Sequence, residues 1–285
     1  MRQKYSAIRY HFQNSVTGGR FLDMLLGEIR EAFDSIAPSG IGPSSVDVLC
    51  LGLGNPAVDR TSLRQLALLE LLIERDTRLS RAHTKLYDPV FRSVSRRFIR
   101  ELGMQVITVN AEACYSLSPD RYHFVMMPHC APALINNLLS TNWCEKVLGR
   151  IVLFSNGWRQ VRSELTASGE PEDLIATELG CICALEPIVA VADRQGKKGT
   201  TKYIEEPDFE GMRVQWFPPT SLMRLSADFW SIPAAAPTLG TKSSKFVGLG
   251  PSVTPNSHFS ADLIDRNKVP CFVDGENEFE SEGYS

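Results

Sequence analysis

At 285 residues with 43% apolar composition, the chain has enough apolar side chains for a sizeable core, and one domain plus tails is the simplest organisation. A formal net charge of −3 argues against a general nucleic-acid binder, which would carry a basic face. The seven cysteines are scattered with no C-x-x-C pair, so neither a disulfide framework nor a zinc ribbon is indicated, and a reducing intracellular compartment fits best.

The opening MRQKYSAIRYHFQNS lacks the apolar run of a secretory signal, and no uncharged stretch reaches the length that spans a bilayer. The first expected element, within an N-terminal segment of residues 1–45, is a helix from about Gly19 to Ile36. Phe21, Leu22, Leu25, Leu26, Ile29 and Phe33 recur there at helical spacing, opposite a face of mixed charge. After PSGIGPSS breaks the chain, Val46–Gly54 reads as a first strand and its exit. A helix over about Ser62–Arg75 follows, then a second strand near Thr84–Tyr87. From Asp88-Pro89 a helix is expected with Val90, Phe91, Val94, Phe98 and Leu102 on one face, stopped by Gly103. The third strand is placed at Gln105–Val109, and the crossover Asn110–Arg121 is weakly patterned.

The stretch from Tyr122 to Trp143 anchors the rest. It reads as a buried strand (His123–Met127), a sharp loop (Pro128, His129, Cys130) and a helix opening at Pro132. A fifth strand follows at Arg150–Gly157. Strands and helices alternate, which predicts an α/β fold of Rossmann-like, doubly wound type with a mainly parallel sheet of about five strands. Beyond Leu165 the pattern loosens: a helix within Pro171–Cys183, a strand within Pro187–Ala192, a late strand at Met212–Phe217, and Ser221–Trp230 either helical or extended. The domain is taken as residues 46–232, with 166–211 read as an insertion. Residues 233–285, rich in Ala, Pro, Gly and Ser and ending in ENEFESEGYS, read as a disordered tail.

With strand order 3-2-1-4-5 the sheet reverses between strands one and four, where open α/β sheets bind ligands at their carboxyl ends. Gly54–Pro56 and Pro128–Cys130 then flank one crevice, with Ser155 and Asn156 beside it. Gly52, Gly54 and Asn55 lie in GLGNPA, a G-x-G-x-x-A pattern. Pro56 lacks an N–H and the following helix starts late, so the glycines read first as a tight strand exit. Asp88 has two readings: a ribose-binding carboxylate, or an N-cap ahead of Pro89. His129 and Cys130 are the most reactive pair, open to acid–base chemistry, to haem or metal ligation, or to a plain loop role. No further histidine or carboxylate stands at ligand spacing, so no metal site is expected. Asn136-Asn137 in mid-helix predicts amides bonded to a neighbouring loop or a ligand, since Asn is a poor helix former. Ser155-Asn156-Gly157 lacks the frame of a hydrolase nucleophile.

Four blocks in order, CLGLGNPAVDRTSLRQLALLELL, YDPVFRSVSRRFIRELGMQVITVNAE, FVMMPHCAPALINNLLSTNW and IVLFSNGW, resemble the SRR domain family, named for the plant "sensitivity to red light reduced" protein, most strongly over residues 46–158. The resemblance implies a regulatory protein of cytoplasm and nucleus. Plant members are tied to light signalling and the circadian clock, animal members to regulation of haem biosynthesis, and a yeast relative to microtubule-related processes. The family has no established reaction, so no catalytic residue is carried over. Its recurring positions fall on Gly52, Gly54, Gln65, Asp88, Pro89, His129, Cys130, Asn136, Asn137, Trp143 and Asn156. Two rivals stand beside a regulatory protein with a protein or small-molecule partner. One is an enzyme using a nucleotide or S-adenosylmethionine in the crevice; the other is a haem sensor acting through His129 or Cys130.

Overall fold

The computed structural model describes residues 1–37, 43–192 and 206–231. The expected tail from Pro233 onward, and residues 193–205 of the expected insertion, lie outside the described residues. Among those described, the fold is α/β, with eleven α-helices and a mixed sheet of seven strands. The strands are β1 (Val46–Leu51), β2 (Leu79–Tyr87), β3 (Gln105–Val106), β4 (Tyr122–Met127), β5 (Ile151–Asn156), β6 (Ala190–Val191) and β7 (Met212–Trp216). Their order across the sheet is β3-β2-β1-β4-β5-β7-β6.

The first five strands are parallel to one another and stand in the expected 3-2-1-4-5 order, with the reversal between β1 and β4. The sheet does not stop at β5, and this corrects the five-strand expectation. β7 pairs antiparallel with β5, from Val152 opposite Trp216 to Asn156 opposite Met212, and β6 pairs antiparallel with β7. The physical reason is at the β5 backbone. A strand that opens on four apolar residues and is buried along Ile151–Ser155 would present a bare row of N–H and C=O groups if left at an edge.

The period-two rule separates the two faces. Val46, Val48 and Cys50 point into one core, while Leu49 and Leu51 point into the other. The first core takes α1 (Arg2–Asn14), α2 (Val16–Ile36), α3 (Arg60–Arg75) and α4 (Ser93–Glu101). The second takes α5 (Pro132–Thr141), α6 (Glu145–Leu148), α7 (Trp158–Ala167), α8 (Glu172–Glu178), α9 (Gly180–Leu185) and α10 (Pro219–Leu222). The short α11 (Ala227–Ser231) is held by aromatic packing, with Phe229 stacked on Trp143 at 5.1 Å.

Several expected elements change in extent. The N-terminal helix begins at Val16 rather than Gly19, capped by the Ser15 hydroxyl on the Gly18 N–H, and α1 precedes it. Tyr5, Ile8 and Phe12 of α1 are buried. Those three stand three and four residues apart, at helical spacing, but the stripe is short and lies in a mostly polar segment. The Asp88-Pro89 cap is also corrected. The helix starts at Ser93 with Arg92 in the cap position, because the Asp88 carboxylate accepts from Gly54 N (2.7 Å) and Val90 N (2.9 Å) instead. Val90 and Val94 consequently stay exposed while Phe91 and Phe98 are buried. β3 covers only two residues of the expected Gln105–Val109. The Pro171–Cys183 helix is two helices, α8 and α9, divided at Leu179.

Candidate functional site

At the carboxyl ends of β1 and β4 the backbone turns sharply. Gly52 and Gly54 hold φ at +71° and +76°, conformations that side-chain-bearing residues rarely adopt. A Cβ on Gly52 would collide with the Cys130 thiol, and one on Gly54 with the Ser62 hydroxyl. The two glycines are thus required by close approach of the β4 loop and of α3.

The donors of this turn are already used. Gly52 N–H donates to the Tyr87 carbonyl (3.2 Å), and Gly54 N–H to Asp88 Oδ2. The start of α3 is capped by Asp59, whose carboxylate accepts from Ser62 N at 2.7 Å. A phosphate at this corner would meet two carboxylates and no free glycine N–H. GLGNPA therefore serves as a strand exit tied to β2, the geometry that its Pro56 had signalled.

The β4 loop is fixed from three sides. The Cys130 thiol donates to Leu51 O (3.4 Å), and Asn156 Nδ2 donates to Cys130 O (3.3 Å). His129, at φ +50°, has Nε2 2.9 Å from the Asp208 carbonyl, so the proton sits on that nitrogen. Burial, helped by the Asp88 charge, pushes the Cys130 thiol up to about 12, so it is protonated at neutral pH.

The structure brings Gly52, Gly54, Asp88, His129, Cys130 and Asn156 into one hydrogen-bonded rim. The other four residues face elsewhere. Asn55 turns to α4, where its Oδ1 accepts from Ser95 Oγ at 2.5 Å and from Ala57 N at 3.2 Å. Ser155 is fully buried beneath Gln215 of β7, whose Nε2 donates to its hydroxyl at 3.2 Å. Asn136 accepts from Cys181 N (2.9 Å) and Ile182 N (3.3 Å), so it caps α9 from a neighbouring helix. Asn137 Nδ2 donates to Glu112 O at 3.0 Å, holding a loop in which Glu112 and Ala113 both have positive φ. Asn137 thus holds a loop, whereas Asn136 holds a neighbouring helix rather than the loop or ligand expected.

Three partners escaped sequence reading. Ser95, Asp208 and Gln215 meet Asn55, His129 and Ser155 only through tertiary contacts, and Asp208 contributes a backbone carbonyl that no residue type would signal.

The SRR1 domain family matches residues 29–216, from within α2 to the end of β7 and across the 166–211 segment. The chain is 35% identical over 130 residues to a mouse SRR1-like protein, covering 46% of this chain and 51% of that one. It is 28% identical over 123 residues to the Arabidopsis thaliana protein SENSITIVITY TO RED LIGHT REDUCED 1, covering 43% and 40% of the two. A Drosophila melanogaster SRR1-like protein is 26% identical over 114 residues, 40% of each. The chain thus spans about half the length of the mouse protein and less of the other two. No solved structure matches it. With well over half of its length inside the family's span, this chain belongs to the SRR1 domain family.

Proposed function

We propose that this chain is a regulatory protein of the light-response type, acting in cytoplasm and nucleus through binding rather than turnover. The observation that carries the reading is its similarity to an Arabidopsis relative named for sensitivity to red light. The rim geometry agrees with it. Asp88, Cys130 and the glycine N–H groups are spent on holding loops, which leaves no activated nucleophile there. A nucleotide would have to displace Asp88 from Gly54, and a haem iron would need either a Cys130 thiolate that burial disfavours or a His129 ring already bonded to the Asp208 carbonyl. Neither rival has an observation of comparable weight.

A chimera tests the reading: residues 29–216 replace the corresponding domain of the Arabidopsis relative in plants lacking it. Restored red-light sensitivity is the expected result. A chimera that accumulates to normal levels and leaves the plants insensitive overturns the proposal.

A further inference from the structure

The helices that cover the second face of the sheet leave one part of it open. The β1–β2, β2–β3 and β4–β5 connections each contain a helix, but the β3–β4 connection, residues 107–121, contains none. In place of a packed helix, its Tyr115–Ser118 arm stands beside the amino-terminal half of β1 and the middle of β2, and together they line a groove of about 630 Å³. That volume lies in the range of small-molecule pockets. The groove is separate from the rim of Gly52, Asp88 and His129, none of which lines it.

Its lining is divided by chemistry. Leu49, Ile107 and Leu117, with the Tyr115 ring, form an apolar slot. Lys85 and His83 project from the outward side of β2 at its mouth, and both are exposed. Asp47 is the carboxylate of the groove, and Arg121 already matches its charge at 2.6 Å, with His83 Nδ1 at 3.1 Å. The Lys85 ammonium has no partner among the described residues, so the groove carries one uncompensated positive charge. At the floor, His123 Nε2 lies 2.9 Å from the Ser118 carbonyl, which fixes the proton on that nitrogen and leaves Nδ1 as an acceptor. Burial, which outweighs the Ser118 bond and the Asp47 charge, lowers the His123 pKa and keeps the ring neutral.

We propose that this groove binds a small planar organic anion, its charge at Lys85 and its ring system between the sheet and the Tyr115–Ser118 arm. A donor group on the ligand would meet His123 Nδ1. The inference stands on the groove alone and is independent of the light-response reading.

The probe is 8-anilinonaphthalene-1-sulfonate, which combines flat rings, one anionic group and one N–H donor, and which brightens on leaving water. Titrated into the full chain, it is expected to bind saturably at one site. Lys85→Glu should weaken binding by about tenfold or more, since it reverses the one unmatched charge. Ser116→Trp should abolish binding by filling the groove. Both positions are outside the packed core, so far-ultraviolet circular dichroism and the thermal melt should match the parent. An aromatic carboxylate should displace the probe, and inorganic phosphate at the same concentration should not. Absence of saturable binding overturns the proposal, as does binding that both folded variants retain. Equal displacement by phosphate also overturns it, because the apolar slot would then play no part.

Discussion

Gly52 holds φ at +71°, and the space where its Cβ would stand is filled by the Cys130 thiol. Two separate costs therefore attach to Gly52→Ala: left-handed backbone strain of about 1–3 kcal/mol, and a steric clash. Urea denaturation should show a lowered midpoint for Gly52→Ala. Adding Cys130→Ala should cost less in that background than in the parent, since it removes the clash and leaves the strain. Strictly additive losses would show that the two residues do not meet. At the other end of the sheet, burial lowers the His123 imidazole below its ordinary 6.5, despite the Ser118 hydrogen bond and the Asp47 charge that oppose it. The unfolded chain then takes up this proton first as pH falls. The stabilisation is full above pH 6.5 and is lost as pH drops through that value toward the lowered folded one. His123→Gln, which can keep the bond to Ser118, should flatten the dependence of the urea midpoint on pH between about 7.5 and 5. The Asp47 and Asp76 carboxyls act in a different window. Burial raises each, but hydrogen bonds and charge from Arg121 and Arg78 respectively outweigh it and hold both below the ordinary 3.8. Their stabilisation is present above that value and is lost in stronger acid, so it does not blur the His123 test.

Among the elements, α1 lies wholly before residue 29, where the family match begins, yet it is part of the core. Phe12 is fully buried, with its ring 6.3 Å from that of Phe209 and the Arg64 guanidinium 5.0 Å away. Tyr5 donates to Glu70 at 2.6 Å, and Arg9 pairs with Glu70 and Glu74 of α3. Burying side chains of this size contributes about 1.5–3 kcal/mol each. A chain that starts at Ser15, which removes α1 and keeps the whole of α2 with its cap, should therefore melt at a much lower temperature than the full chain or be insoluble. An unchanged melt would mean that α1 only rests on the surface. The link between α5 and α9 is narrower and can be tested with one atom. Asn136→Ala leaves the Cys181 and Ile182 N–H groups unsatisfied and should cost about 1–3 kcal/mol. Asn136→Asp keeps an acceptor oxygen at a helix N-terminus and should cost clearly less, as read by denaturation near neutral pH.

For the molecule as a whole, the strand order sets where the fold opens. β1, β4 and β5 each pair on both edges, whereas β3 and β6 are two-residue strands at the outer edges. Native-state hydrogen exchange should find the slowest amides at Leu49–Leu51, Phe124–Met126 and Val152–Phe154. Amides of β3 and β6 should exchange far faster. If β5 exchanged as quickly as β6, the antiparallel extension through β7 would not persist in solution. The same extension explains why the fold was only partly legible. Alternation of strands and helices through Leu165 pointed to a mainly parallel sheet of about five strands, and their order came with the doubly wound fold that it suggested. Met212–Phe217 read as a strand, but its direction and partner depend on a return path through residues with no periodic pattern.

Local physics decided much of this protein before any tertiary contact formed. The apolar runs VDVLCL, YHFVMM and IVLFSN dictate buried strands, Pro132 opens α5, and mid-helix asparagines demand partners. Pro56 after Gly52 and Gly54 likewise spoke for a strand exit before any contact was known. Only the folded chain decided which groups meet: Asp88 with Gly54, His129 with the Asp208 carbonyl, Ser155 with Gln215. It also decided that the β3–β4 connection leaves an open groove. His83 and Lys85 on the outward side of β2 hinted at that, since a strand covered on both faces carries apolar residues on both. Periodicity records which side of a strand is wet, because solvent contact acts residue by residue. Contacts between residues tens of positions apart depend on chain path and loop closure, which no short window of sequence contains.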